Sequence, residues 1–376
     1  MSHGLTEEQR MLVDSVRSLA ESEFQDKAFE WEGDFPRENL RLLAERGFLG
    51  VNLDEAYGGG GMSEYEAILM VEAIGRVCPD TAMAVIDQQM VAPRAIDMFG
   101  TESAKEGYLP PVIGGEDCIA IAISEPEAGS DVRSMNTTVR EEGGNLVLNG
   151  EKIWVTKVPY SSAAVVWTKF PEGLGSVVVE FGWEGVEVAQ HFTNMAGDPQ
   201  TQFYMNDVVV PEENVLLRGD DAFKEQLKAL NWERIASATI AYTQALCAFE
   251  KALEYAGDRE QFGQPIEDFQ GVEWELADMA TELQAMRAMI HGTAQDAYDR
   301  GRVPDPFRAL SAKLFAATRA ESIVSEALQI HGANGYQRGH PVEKLYRDVR
   351  GRRIAAGTDA IHRNQIASIL KESGFP

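Results

Sequence analysis

Cys118–Ser124, CIAIAIS, is where the hydrophobic period of this chain changes. Before it, apolar residues recur at three- and four-residue spacing. Thr6 and Gln9 form the pattern of a capping box, and Leu12, Val16 and Leu19 follow on one face. Ser63 and Glu66 repeat the signature ahead of Ile68, Leu69, Val71 and Ile74, and the glycines and prolines of YGGGG and LPPVIGGE separate these helices. After it come short β-branched and aromatic runs between Gly, Asn and Pro turns: NLVLNGEKIWVT, AAVVWTK, GSVVVEFG and FYMNDVVVP. With no helices between them, these runs predict an antiparallel sheet or small barrel. From about residue 223 helix returns in long stretches: Phe223–Tyr255, Gly271–Arg300 with Gly292 as its single interruption, Pro306–Ile330 and Thr358–Leu370. Their apolar spacing fits an antiparallel bundle. The expected architecture is therefore α+β in three parts: an all-α domain over 1–118, a β domain over 119–222 and a C-terminal four-helix bundle over 223–376.

Composition excludes several classes. The chain has 376 residues, enough for two or three domains at roughly 100–200 residues each, and 44% of them are apolar. Sixty acidic residues against 34 basic ones give a formal charge of −26, which argues against nucleic acid or an anionic membrane as partner. Only 11 of the cations are lysine, a balance that fits an acidic or high-salt proteome. Any anionic ligand must then be held by local cations or helix ends against the global field. Three scattered cysteines without CxxC spacing fit reduced thiols in the cytoplasm. No apolar run reaches the roughly 20 residues that span a bilayer, and the charged start lacks a signal-peptide core. Six histidines show no HxxxH or HExxH spacing, so no metal site is expected. The common phosphate loops and the GxSxG elbow are absent too; GGGGMS, from Gly58, has no lysine after it.

Several segments, in order over nearly the whole chain, carry a resemblance. They are AISEPEAGSD (Ala122–Asp131), NGEKIWVTK (Asn149–Lys157), DREQFGQPIEDFQ (Asp258–Gln270), QIHGANGY (Gln329–Tyr336) and PVEKLYRDVRGRRI (Pro341–Ile354), with connectors FGTESAKEGYLPPVIGGE and DVVVP. Together they resemble the acyl-CoA dehydrogenase family. The resemblance implies an FAD enzyme that forms a C2–C3 double bond in an acyl-CoA thioester, passing electrons to an electron-transfer flavoprotein and assembling as a homotetramer or homodimer. It implies cofactor contacts from Ile121, Ser124, Ser130, Trp154 and Thr156, and from Arg259, Phe262 and Gln270 toward the FAD of a neighbouring subunit. Gln329, Gly332, Gly335, Thr358 and Ala360 complete that set, and Ser130, Arg234 and Gly357 match substrate contacts. A buried strand tryptophan and a helix C-cap are the plain alternatives for Trp154 and for the glycines.

The base is the sharpest question. Most family members carry a glutamate directly before a GT pair, and here the segment is AAGTDAIHRN, with Ala356 in that place. A minority place the base in an ER pair on an earlier helix, and NWERIASATIAY supplies Glu233–Arg234. Leu230, Glu233, Ser237 and Ile240 share a helical face, where desolvation favours a proton-accepting carboxylate. Glu233 is the expected base and Asp359 its rival, although Thr358–Asp359 also reads as a helix cap. The closest look-alike subgroup is the crotonobetainyl-CoA reductase type, which implies enoyl reduction. An oxidase or monooxygenase on the same fold and a non-catalytic family member are the other readings. Lys157 stands where the family commonly has asparagine, and the run Lys344, Arg347, Arg350, Arg352 and Arg353 reads as a helix face paired to acids.

Overall fold

The structure is a computed structural model, and it describes residues 4–376. Six helices come first: α1 (Glu7–Glu23), α2 (Arg37–Glu45), α3 (Glu64–Gly75), α4 (Pro79–Gln89), α5 (Ala92–Phe99) and α6 (Glu102–Ile113). The β region follows with β1 (Ile119–Ala122), β2 (Thr138–Glu142), β3 (Asn145–Thr156), β4 (Ala163–Phe170), β5 (Gly173–Glu180), β6 (Val186–Thr193), β7 (Pro199–Val210) and β8 (Val215–Leu217). Helix returns as α7 (Ala222–Asp258), a small hairpin β9 (Glu260–Gln261) and β10 (Gln264–Pro265), then α8 (Gln270–Asp299), α9 (Pro306–His331), α10 (Pro341–Gly351) and α11 (Asp359–Ser373). The α, β, α order is the one the hydrophobic periods predict. The capping box closes α1 as expected: the Gln9 amide donates to Thr6 Oγ1 at 3.1 Å and the Thr6 amide to Gln9 Oε1 at 3.0 Å. One breaker reads differently, because Pro110 and Pro111 lie in the last turn of α6 rather than after it. No helix of the described residues is long and apolar enough to cross a membrane.

The described residues divide into two compact units. One comprises Trp31–Ala67 and Ala84–Leu230 and is built on the sheet. Its strand order is β6-β7-β3-β2-β4-β5-β8, with β1 added beside β4. Pairing is antiparallel except where β1 and β2 run parallel to β4. Strand β4 explains itself by parity. Ala164 and Val166 join Val177, Val179, Leu148, Phe203 and Met205 in the core on one face. Ala163 and Val165 join Val178 on the other, beneath Ala92 and Ile96 of α5 and Leu109 and Val112 of α6. A strand covered on both faces must be apolar at nearly every position, and AAVV is.

The other unit comprises the described residues up to Glu30 together with Ile68–Met83 and Asn231–Pro376. Its long helices bury stripes at helical spacing: Leu276, Met279, Leu283, Met286 and Ile290 on α8, and Ala309, Ala312, Ala316, Ala320, Ile323 and Ala327 on α9. Alanine at so many facing positions lets helices approach closely. Gly75 of α3 is pressed on the Thr243 side chain of α7, where an added Cβ would meet Oγ1 at 2.6 Å. Glu72 pins α3 to α8, accepting from Arg287 Nε at 2.8 Å and contacting His291 Nε2 at 2.5 Å. Burial pushes its pKa up, but these partners outweigh burial and hold it at about 2.

Candidate active site

In the sheet unit, the first candidate residues gather around one irregularity. The register of β3 against β7 shifts between Lys152 and Val155. Trp154 sits in this bulge with φ +61 and is turned outward, 51% exposed, against the ring of Phe192 at 4.9 Å. A bulky residue held in the left-handed region is costly and marks a position the surrounding structure dictates. Thr156 lies exposed two residues on. Ser124 is tied to the same strand, its carbonyl accepting from the Ile153 amide at 3.0 Å. Ser130 is exposed on the loop that follows, and Ile121 is half-buried on β1 opposite Val165. Beneath this loop, Lys152 and Glu125 form a buried ion pair at 2.9 Å. Burial raises the Glu125 pKa, but donors from Asn136, Thr137 and Lys152 outweigh it and hold the carboxylate ionised. Lys157, also at positive φ, places Nζ over the Phe35 ring at 5.0 Å and 3.7 Å from Asp87.

In the helical unit, a second group surrounds the β9–β10 hairpin. Phe262 and Gly263 both have positive φ, +54° and +87°, the geometry of a two-residue type I′ turn. The Ile266 amide closes its base on the Arg259 carbonyl at 2.8 Å. Phe262 is thereby held at the tip, 96% exposed. Behind the hairpin lies a cavity of about 350 Å3 lined by Tyr255, Arg259, Gln261, His331, Gly332 and Asn334. Its wall is aromatic: Tyr255 stacks on His331 with centroids 4.6 Å apart, and its hydroxyl accepts from Asn334 Nδ2 at 3.0 Å. The Arg259 guanidinium has no partner among the described residues. Gly332, after α9, has φ +57 and ψ −136, a combination open to glycine. The cavity therefore gathers Arg259 and Gly332. Gln270 and Gln329 are exposed outside it, and Gly335 is packed on His331, where a Cβ would lie 2.6 Å from the His331 Cβ.

A third group centres on the turn before α11. Ala356 and Gly357 have φ +54° and +96°, and Thr358 caps α11, its hydroxyl accepting from the Ile361 amide at 3.3 Å. Two buried side chains, a lysine and a histidine, hold the turn from beneath. Lys313 Nζ donates to the Gly357 carbonyl at 2.8 Å, and His362 Nε2 lies 3.1 Å from the Ala356 carbonyl. Burial lowers the Lys313 pKa to about 8 and the His362 pKa to about 4. Glu233 is half-buried on α7. Arg234 beside it is buried, donating to Asn231 Oδ1 at 2.6 Å and to Gln365 Oε1 on α11 at 3.3 Å. The charge of Glu233 bears on both Arg234 and Lys313 and favours their protonated forms against burial. Asp359 is engaged elsewhere: one of its oxygens accepts from Arg353 Nε and Nη2, each at 2.7 Å. Ala360 is exposed on the first turn of α11. Four of the five members of the basic run are paired to acids, whereas Arg352 Nη1 donates to Met83 Sδ at 3.1 Å, and Lys344 and Arg347 are buried. Lys344 bonds Asp80 at 2.7 Å and Asp348 at 2.8 Å, and Arg347 bonds Glu343 at 2.5 Å.

Models of the three acyl-CoA dehydrogenase domains match in sequence: the N-terminal domain over residues 6–116, the middle domain over 120–208 and the C-terminal domain over 222–371. The chain belongs to the acyl-CoA dehydrogenase family. It is an oxidoreductase of that flavoprotein family, acting on the CH–CH group of an acyl-CoA. Among its relatives, 3-sulfinopropanoyl-CoA desulfinase of Advenella mimigardefordensis is 33% identical, with 99% of this chain and 96% of that one covered. The caffeyl-CoA reductase–Etf complex subunit CarC of Acetobacterium woodii is 31% identical over 97% of this chain and 98% of its own. The solved structure of butyryl-CoA dehydrogenase from Megasphaera elsdenii superposes with a TM-score of 0.90 at 28% identity, covering 99% of this chain and 100% of that one. The fold class expected from the sequence, helical, β, then helical, is the family's.

Proposed function

We propose that this protein is an FAD-dependent acyl-CoA dehydrogenase in which Glu233 removes the proton α to the thioester carbonyl. The observation that carries this reading is the placement of Glu233: it is a half-buried carboxylate beside the buried Arg234 and bears electrostatically on Lys313, which holds the Gly357 carbonyl of the turn where Ala356 offers no proton acceptor. The donor set suits the cofactor. Arg259 offers a planar fork to a pyrophosphate at a cavity whose Gly332 allows close backbone approach. Trp154 offers a flat apolar wall. FAD, when bound, supplies the acceptor for the hydride leaving the β-carbon. Glu233 takes the α-proton, and the C2–C3 double bond forms as both leave. Gly357 and Ser130 are the proposed substrate contacts; Ile121, Ser124, Ser130, Thr156, Phe262, Gln270, Gln329, Gly335, Thr358 and Ala360 complete the proposed cofactor set.

A second reading reverses the direction, reducing an enoyl thioester, as in the crotonobetainyl-CoA reductase type. The ER pair and the alanine at position 356 favour it. Electron-transfer flavoprotein is the proposed redox partner in either direction, supported by the relative that belongs to an Etf complex. A second copy of this chain is proposed to cover the exposed Phe262 hairpin, in a homodimer or homotetramer. A cytoplasmic setting is supported by three free, buried thiols, Cys78, Cys118 and Cys247. The test is optical. Under anaerobic conditions a saturated acyl-CoA should bleach the bound flavin if dehydrogenation is the reaction. Reduced protein reoxidised by an enoyl-CoA, with the saturated thioester inert, assigns the reverse direction. Rapid reoxidation by oxygen would replace both with an oxidase, and a colourless protein would point to the non-catalytic reading.

A further inference from the structure

Lys152 is fully buried in β3, and each of its polar contacts goes to a single loop. Nζ donates to the Ile123 carbonyl at 2.9 Å and to Glu125 Oε1 at 2.9 Å, with Met135 Sδ at 4.0 Å. Glu125 in turn accepts from the backbone amides of Asn136 and Thr137, the latter at 2.9 Å. Residues 123 and 125 begin the loop, and 136 and 137 end it. One ion pair therefore clasps both ends of the segment that carries Ser124 and Ser130 onto the strand that carries Trp154. The turn within it is closed twice, Glu125 N to the Ala128 carbonyl at 3.0 Å and Ala128 N to the Glu125 carbonyl at 3.2 Å. The next residue along β3, Ile153, donates to Ser124 at 3.0 Å, and Trp154 follows in the bulge. A buried ion pair is a poor device for stability alone, since its desolvation cost offsets much of the attraction and an apolar replacement is often neutral or better.

We propose that Lys152 and Glu125 are positioning residues, an internal clasp that fixes the 124–134 loop against β3 and so sets the surface this unit offers to FAD and the acyl-CoA. The proposal rests on the reading that the protein binds FAD through this face. The experiment compares wild type with the Glu125→Met/Lys152→Met double variant, which removes the pair without stranding either charge, and with Glu125→Gln in case the double variant does not fold. Hydrogen exchange at the Asn136 and Thr137 amides reports the clasp without any cofactor; both should lose protection in the variants. The FAD dissociation constant and the KM for acyl-CoA should rise about 10-fold or more, with a shifted visible flavin band, because small misplacements at a site cost that much. A purely structural pair would instead lower the melting temperature and leave the flavin band, FAD affinity and KM at wild-type values, and that result overturns the proposal. Unchanged amide protection overturns it as well. A wild-type protein that takes up no FAD refutes the underlying reading, separately from whether the amides deprotect.

Discussion

Gly357 shows how tightly a single residue is specified at the turn before α11. Its φ is +96, and a Cβ there would lie 2.7 Å from His362 Nε2. Gly357→Ala should cost about 1–3 kcal/mol, through both the backbone conformation and the clash. Urea unfolding would report this as a lower midpoint at an unchanged slope; an unchanged midpoint would mean that the turn opens freely. At this scale the sequence is legible where a motif speaks and silent where burial must be known. The ER pair and the vacant position at Ala356 single out Glu233, whereas Lys152 and Lys313 draw no comment because most lysines are solvated. Their signal was parity. Lys152 has the phase of Leu146 and Leu148, which face the core, and Lys313 falls among the buried alanines of α9. Trp154 has that phase too, and only the bulge turns it outward. A bulge cannot be read from alternation, so the exposed indole and the buried lysine look alike in sequence.

Among elements, the long helices are the most legible, since their stripes run for many turns. The strand pairing is not. A four-residue β1 gives no sign that it lies parallel to β4, because that contact is set by the chain between them rather than by either strand. Strands β9 and β10 are only two residues long each and make a minimal hairpin. Its two-residue turn holds Phe262 out in solvent, with the Phe269 ring 6.1 Å away. Phe262→Ala should therefore leave the melting of the isolated chain nearly unchanged, since a ring 96% exposed contributes little burial energy. It should lower the molecular mass measured by sedimentation if a second copy covers the tip. Unchanged mass, together with unchanged FAD affinity, would remove the hairpin from both the assembly and the cofactor site.

Over the whole molecule, the charge of −26 frames where anions can bind. Cations that looked available are already committed: Lys344 to Asp80 and Asp348, Arg347 to Glu343, Arg353 to Glu321 and Asp359. The Arg259 guanidinium has no partner among the described residues and lies beside a cavity in an excess of acid, which is a reason to assign it an anionic ligand. Composition stated that such a local site must exist, and could not say which arginine, because pairing is a property of the fold. The central claim, that one carboxylate on α7 takes the α-proton, is tested most directly by mixing acyl-CoA anaerobically with wild type and with Glu233→Gln and following the flavin absorbance. Glu233→Gln should retain FAD and bind the thioester while flavin reduction falls by at least about 100-fold, the scale of a lost general base. Reduction at the wild-type rate in that variant would contradict the account.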